Sequence, residues 1–413
     1  MKILVLTNLY PPHHIGGYEL ICQTVVDTLR QRRHSIAILT SCHRVQPAPE
    51  RPDDPFIERS LTIHGLYGHP WRGIRELRWI EKHNNQALCS AIRRHQPELV
   101  YVWNMGGLSK SILFTLQSLD VPTVFYVSDH WISRLESDVW LRWWNRDDAP
   151  LPHRLIRAGL TWIGLRRRWN ALAPTYPIRR LRFERIYFCS RALRDLTAAA
   201  GYPVNHAAVI YCPVHLRYFN GQPSPPRQVM RRLLYVGRLA QDKGLMTALR
   251  ALALLRGGIE VKLSVYGRGE PAYEAELKRF AQEHQLEVTF GCADLEQMPR
   301  VYRDHDLLLF PSEWPEPFAL TPLEAMACGL PVVGTTTGGS AELFRHGENG
   351  LIYTAGRPEE LAERIRQFAS NYPLRNRCAL TGYSESLERY AAPVVVDQIE
   401  EYLRKTVRHW RSA

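Results

Sequence analysis

Glu316 and Glu324 bracket the run Pro317-Phe318-Ala319-Leu320-Thr321-Pro322-Leu323, which joins an apolar stretch at 307–310 to a helical pattern over 322–328. A carboxylate in a Pro-flanked turn is a poor phosphate ligand but a good acceptor for sugar hydroxyls. The helix end beside it, with free N–H groups and a favourable dipole, suits a diphosphate. Together they fit a ligand that is half sugar and half diphosphate. Glu324 also has a purely structural reading. With Thr321 as cap and Pro322 in the first helical position, Glu324 completes a capping box.

Cations stand at a second turn. Gly237-Arg238-Leu239 leaves a strand pattern and Asp242-Lys243-Gly244 enters a helical one. Arg238 and Lys243 therefore fall at the carboxyl edge of a sheet, where open α/β folds bind ligands. Beside a diphosphate they would neutralise it as it departs; otherwise they are two solvated surface cations. Gly267 follows a further strand and is either an ordinary turn glycine or a point of close ligand approach. Gly338-Gly339, after a strand at 331–333, bears on fold alone. In the first half, His13-His14-Ile15-Gly16-Gly17 separates strand from helix. Gly16 and Gly17 there permit positive φ and a close ligand, or simply a tight turn. Adjacent histidines seldom chelate one ion, so no metal is expected at His13 and His14. The strand at 121–127 ends in Ser128-Asp129-His130.

These motifs, concentrated from 233 to 342, resemble the retaining glycosyltransferases of family 4, the group 1 glycosyl transferases. The resemblance in architecture extends over nearly the whole chain. It implies the GT-B fold, two doubly wound Rossmann-like domains facing each other across a cleft. The family's paired acids match Glu316 and Glu324, and its Gly-Arg-Leu…Lys-Gly matches Gly237, Arg238, Leu239, Lys243 and Gly244. By resemblance, Glu316 contacts the donor sugar and Glu324 the ribose. Backbone N–H groups of Phe318, Ala319, Leu320 and Thr321 hold the diphosphate, Gly237 and Gly267 lie near the nucleotide, and Gly16 and Gly17 lie against donor phosphates and acceptor. Arg238 and Lys243 take the place of a metal. The sequence departs from the family at Ala319, where glycine is usual, and at Ser128-Asp129, where many relatives have His-Asp. Asp129 is the acceptor-side catalytic candidate beside Glu316, Arg238 and Lys243, with Ser128 and His130 as competing second choices.

The implied activity is transfer, with retention, from a nucleotide-diphosphate sugar to a hydroxyl of a glycan or lipid-linked acceptor, as in polysaccharide biosynthesis. No cofactor and no metal are expected. Two other classes fit the same motifs. A sugar-nucleotide epimerase of this fold would turn over donor without acceptor, and a non-catalytic binding subunit would tolerate Glu316→Ala.

The elements that must position these residues alternate between strand and helix, as in parallel sheets covered on both faces. Strands are expected at 3–6, 35–40, 99–103 and 121–127, with helices over 18–32 and 108–119. After the Gly/Pro-rich stretch 221–226 the pattern restarts. Strands at 233–236, 261–266, 287–290, 307–310 and 331–333 alternate with helices over 245–255, 272–284, 295–305, 322–328 and 358–370. The expected organisation is an acceptor-side domain over 1–220, a linker over 221–230, a nucleotide-sugar domain over 231–391, and a helix within 392–413 returning to the first domain. A chain of 413 residues exceeds one ordinary core.

The formal net charge is +12, and its distribution matters more than its total. No Asp or Glu occurs between Asp148 and Glu184, a span holding Arg154, Arg157, Arg166, Arg167, Arg168, Arg179, Arg180 and Arg182. This basic insert, about 131–194, also carries Trp140, Trp143, Trp144, Trp162 and Trp169. Over 153–172 it reads either as a core-facing helix with a solvated basic face or as an amphipathic helix on an anionic membrane surface. No nucleic-acid recognition module accompanies the charge. Eight scattered cysteines without CxxC spacing suit reduced thiols. No apolar run approaches membrane-spanning length, and Pro11-Pro12 cuts the first one short. A cytoplasmic protein, peripheral at most on the inner face of a membrane, is expected.

Overall fold

The computed structural model describes residues 1–45, 54–219 and 226–412. The segment 221–225, most of the expected linker core, lies outside the described residues. The chain divides into two compact units. One comprises Met1–Cys189, Leu193–Ile210 and Val396–Ala413; the other comprises Ser190–Ala192 and Tyr211–Val395.

In the first unit, β1 (Lys2–Leu6), β2 (Ser35–Ser41), β3 (Ile57–Leu61), β4 (Leu99–Val102), β5 (Thr123–Val127), β6 (Ile186–Phe188) and β7 (Ala208–Val209) form one sheet. Their order is β3-β2-β1-β4-β5-β6-β7 and every pairing is parallel. Val5 stands between Ile38 and Tyr101, and all three are fully buried, as a sheet covered on both faces demands. The order reverses between β1 and β4, so the loops after these strands flank the switch point.

Helix α1 (Gly17–Gln31) buries Ile21, Val25 and Leu29 at helical spacing. Helix α2 (Ile74–His95) was not expected, because its inward stripe includes Glu81, Asn84 and Asn85 beside Leu77, Ile80 and Leu88. Those amides are satisfied: Asn84 donates to the Ser109 hydroxyl at 2.9 Å, and Asn85 to that of Ser111 at 2.6 Å, next to α3 (Ser111–Ser118).

The basic insert folds differently from the expected single helix. Helix α4 (Val139–Asn145) buries Trp140 and Trp144, and Asp138 caps it by accepting from the Leu141 N–H at 2.8 Å. Helices α5 (Leu151–Trp162) and α6 (Leu165–Asn170) are separated at Gly164, whose φ of 71° no helix accommodates. No residue of α5 is buried, which overturns the core-facing alternative. Helix α7 (Arg191–Ala199) follows β6.

In the second unit, β8 (Arg232–Val236), β9 (Lys262–Tyr266), β10 (Val288–Gly291), β11 (Leu307–Phe310), β12 (Val332–Gly334) and β13 (Leu351–Ile352) run parallel in the order β10-β9-β8-β11-β12-β13. The switch point falls between β8 and β11. Helices α8 (Leu245–Leu255), α9 (Pro271–Glu283), α10 (Met298–Asp304), α11 (Leu320–Ala327), α12 (Pro358–Ser370) and α13 (Tyr372–Glu385) accompany the strands. Leu249, Leu252, Val265, Leu309, Ile365 and Phe368 are among the buried core. The last helix, α14 (Ala392–Ser412), buries Ile399 and Leu403, and its Tyr402 hydroxyl donates to the Ile186 carbonyl at 3.1 Å. Glu400 accepts from Arg32 at 2.8 Å and pairs with His34 at 2.9 Å; these partners hold its carboxyl down at about 2.

Candidate functional site

The loops after β8 and β11 flank the switch point of the second sheet and carry Lys243 and Glu316. The Lys243 ammonium donates to Glu316 Oε1 at 2.6 Å, and the Ser312 hydroxyl donates to the same oxygen at 2.6 Å. Both side chains of the ion pair are largely covered, at 16% and 11% exposure, so their attraction is screened less than a surface pair's. Backbone bonds lock the two loops together: the N–H groups of Glu313 and Trp314 donate to the Asp242 carbonyl at 2.9 and 3.0 Å. Gly244 seals the junction with φ 68°, and a methyl group there would lie 1.9 Å from the Pro311 carbonyl oxygen.

Gly338 and Gly339, which the sequence marks only as a fold signal, form the backrest of Glu316. Glu316 makes a parallel bridge with Gly338, and the Gly339 N–H donates to the Glu316 carbonyl at 2.6 Å. A methyl group on Gly339 would sit 2.1 Å from the Pro317 carbonyl oxygen. Ser312 was likewise missed as a partner of Glu316; four residues before the acid in a loop, it leaves no periodic signal. Gly267 has a steric reason of the same kind, since its missing Cβ would meet the Gly237 carbonyl oxygen at 1.8 Å. Gly237 is itself tight against the Tyr235 hydroxyl, which donates to the Arg238 carbonyl at 2.9 Å. The Arg238 side chain is exposed.

Helix α11 begins at Leu320 with Ala319 in the cap position. The expected capping box therefore does not form. Thr321 and Pro322 occupy the second and third helical positions, and Pro is tolerated there because first-turn N–H groups have no partner within a helix. Released from capping, Glu324 accepts from the Tyr302 hydroxyl at 2.8 Å. Burial pushes its carboxyl up to about 7, against the opposing pull of the Tyr302 and Tyr218 hydroxyls and of Arg217. Ahead of the helix, Ala319 is buried and Phe318 lies against Tyr211 with ring centroids 5.5 Å apart.

In the first unit, Gly16 caps α1 in an extended conformation (φ −143°), and neither Gly16 nor Gly17 has positive φ. The conformational reason expected for these glycines is thus absent. A methyl group on Gly16 would meet nothing within 4 Å, so the backbone edge is open. Glu19, at capping-box spacing, accepts from the Gly16 N–H at 3.1 Å. Burial pushes its carboxyl up to about 7, and the charge of Asp129 adds to the rise. That coupling links the glycine turn to the end of β5, where Tyr18 also donates to the Tyr126 carbonyl at 3.2 Å. Ser128 and Asp129 are half-buried there, whereas His130 is buried and its N–H donates to an Asp129 carboxylate oxygen. His13 accepts the Val45 N–H at 3.3 Å. Among the described residues no group of three or more His, Cys, Asp or Glu side chains is placed to hold a metal, and no helix is long and apolar enough to cross a membrane.

Two parallel sheets, each with its loops gathered at a switch point, make this a two-domain α/β protein of GT-B fold. Residues 15–218 match Glycosyltransferase Family 4, and residues 222–385 match Glycosyl transferases group 1. The chain belongs to the family 4, group 1 glycosyltransferases. It is 28% identical over 163 residues to an uncharacterised glycosyltransferase of Methanocaldococcus jannaschii, covering 39% of this chain and 41% of that one. It is 32% identical over 154 residues to spore coat protein SA of Bacillus subtilis, covering 35% and 41%. The matched region thus spans less than half the length of these curated relatives. Anabaena HepE, whose crystal structure contains UDP-glucose, superposes with a TM-score of 0.67 at 21% identity, covering 98% of this chain and 100% of that one; this likeness concerns the fold.

Proposed function

We propose that the protein transfers a sugar, with retention of anomeric configuration, from a nucleotide-diphosphate sugar to a hydroxyl of a glycan or lipid-linked acceptor. The observation that carries this reading is the Lys243–Glu316 pair, a cation and a sugar-type acceptor held together at the switch point just ahead of the α11 N-terminus. A diphosphate at that terminus would take the N–H groups of Leu320 and Thr321 and draw on Lys243 and Arg238 for charge. Lys243 would then share its donors, leaving Glu316 to accept from a sugar hydroxyl while Ser312 keeps it oriented. Glu324 would meet the ribose, with Gly237 and Gly267 keeping side chains out of the nucleotide's way. On the acceptor side, Asp129 would face the incoming hydroxyl with Ser128 beside it, and the open edge at Gly16 and Gly17 would admit phosphate or acceptor. The leaving diphosphate would take up the acceptor's proton. Arg238 and Lys243 supply the positive charge, so the reading calls for neither metal nor cofactor.

The test begins with thermal shifts against UDP-, GDP- and ADP-sugars, UDP-glucose first. A donor at 100 times its Kd should add about 2.7 kcal/mol of stability. With donor and acceptor established, Glu316→Ala should cut kcat by roughly 10²–10³-fold, the usual range for losing one transition-state contact. Unchanged turnover in that variant would exclude Glu316 from catalysis. Product formed from donor alone would point to epimerisation instead.

A further inference from the structure

Helix α5 is amphipathic in the reverse sense for a surface helix. The side chain that ties it to the body is a charged one: Arg157 donates to the Arg146 carbonyl at 2.8 Å and to the Trp143 carbonyl at 3.2 Å. At about 100° per residue, Leu151, Leu155 and Trp162 share one stripe on the side away from Arg157. They are 65%, 64% and 89% exposed, and Ile156 and Ile163 extend the apolar surface at 52% and 60%. A lone exposed leucine means little, but a contiguous apolar face turned to water marks a docking surface.

The charge around this face is predominantly positive. Arg154, Arg167 and Arg168 are exposed beside it, and no acid occurs between Asp148 and Glu184. Behind α5 lies a groove of about 1680 Å³ lined by Arg142, Arg157, Arg166, Arg179 and Arg180, with Arg146 paired to Asp148 and with Glu136 and Asp147 as its other acids. Trp140 and Trp144 are buried in the body. Trp162 alone among the tryptophans of α4 to α6 projects fully.

We infer that α5 is a membrane-docking helix. Leu151, Leu155, Ile156, Trp162 and Ile163 enter the headgroup–acyl boundary of an anionic bilayer, and the surrounding arginines meet lipid phosphates. Apolar insertion with a basic surround is the combination that binds interfaces without spanning them. The occupant is a lipid surface and not a second copy of this chain, since two copies meeting through this face would bring two arginine-rich surrounds together. The inference stands apart from glycosyl transfer, because vesicle binding requires neither donor nor acceptor.

The test is flotation of the full chain with vesicles of two parts phosphatidylcholine to one part phosphatidylglycerol, and with phosphatidylcholine alone. The wild type should float with the anionic vesicles, and binding should weaken in high salt. The double variant Leu155→Glu/Trp162→Glu should lose binding by roughly 10-fold or more, since it removes two inserted side chains and adds two charges. Both positions are solvent-facing, so its melting temperature should match the wild type. A second variant, Arg167→Gln/Arg168→Gln, should reduce the preference for anionic vesicles while leaving the apolar anchor intact. Absence of flotation at low salt would overturn the inference, as would equal flotation of wild type and L155E/W162E. A wild-type dimer in sedimentation velocity that L155E/W162E dissolves, without vesicle binding, would replace the membrane by a second copy.

Discussion

The switch-point edges of the two units are built on opposite principles. In the second unit the loops at the switch point touch backbone to backbone. Gly237 against Gly267, Gly244 against Pro311, and Gly339 against Pro317 leave no room for a Cβ. The charged pair Lys243–Glu316 sits on that rigid frame. In the first unit Gly16 is extended with open space around it, and the turn is held by side chains: Glu19 on the Gly16 N–H, and Asn8 on the Gly106 carbonyl at 3.1 Å. A site fixed by backbone contact tolerates few residue types, whereas one fixed by side-chain hydrogen bonds can be rebuilt with others. The proposed donor side therefore carries sharp motifs, and the proposed acceptor side carries loose ones.

The strongest way to break this comparison is a pair of identical substitutions. Gly267→Ala forces a carbon to within 1.8 Å of the Gly237 oxygen, so backbone must move. Urea denaturation should show a loss of about 3 kcal/mol, the upper end for overpacking. Gly16→Ala changes only a helix cap in open surroundings and should cost about 1 kcal/mol or less. Equal losses at the two positions would show that backbone contact is not what distinguishes the units.

The same contrast governs what was legible beforehand. In the second unit, the helices at 245–255 and 358–370 are readable to the residue and most buried strands to within one, because their inward faces are apolar, Thr247 excepted. Helix α2 was not, because Glu81, Asn84 and Asn85 interrupt its inward stripe, and the two amides are satisfied by hydroxyls from distant positions. Strands β3 and β7 escaped for another reason. The former shows no fully buried run until Leu61, and the latter spans only two residues. Within the site, the acids and cations were visible as types in a pattern. Their true partners Ser312, Tyr302 and Gly339 were not, since hydrogen bonds across a sheet edge leave no periodicity. The Thr321 cap misled for a local reason: several nearby residues could begin the helix, and tertiary packing placed its start at Leu320.

Smaller effects sharpen the comparison through protonation. Glu324 in the second unit and Glu19 in the first both have carboxyls raised to about 7 by burial. At low pH each is protonated folded or unfolded. As pH rises through the unfolded value near 4.5, only the unfolded chain releases the proton, so stability falls until about pH 7 and then levels. Each full shift corresponds to a loss on the order of 3 kcal/mol. Urea midpoints measured from pH 4 to pH 8 should decline in the wild type. Glu324→Gln and Glu19→Gln should each flatten part of that decline, and their effects should add because the residues lie in separate units. An unchanged slope in both variants would show that neither acid carries the shift.

The smallest expected effect isolates a single hydroxyl. Ser312→Ala removes one of the two donors on Glu316 Oε1 while leaving Lys243 in place. Half-covered hydrogen bonds of this kind contribute about 1 kcal/mol, so the melting temperature should fall by a few degrees at most. The more telling readout is donor affinity. If the backbone frame alone positions Glu316, the thermal shift produced by the nucleotide sugar will match the wild type's. If Ser312 orients the carboxylate for the sugar, the shift will shrink beyond the change in baseline, and Ser312→Thr, which restores a hydroxyl, should recover it.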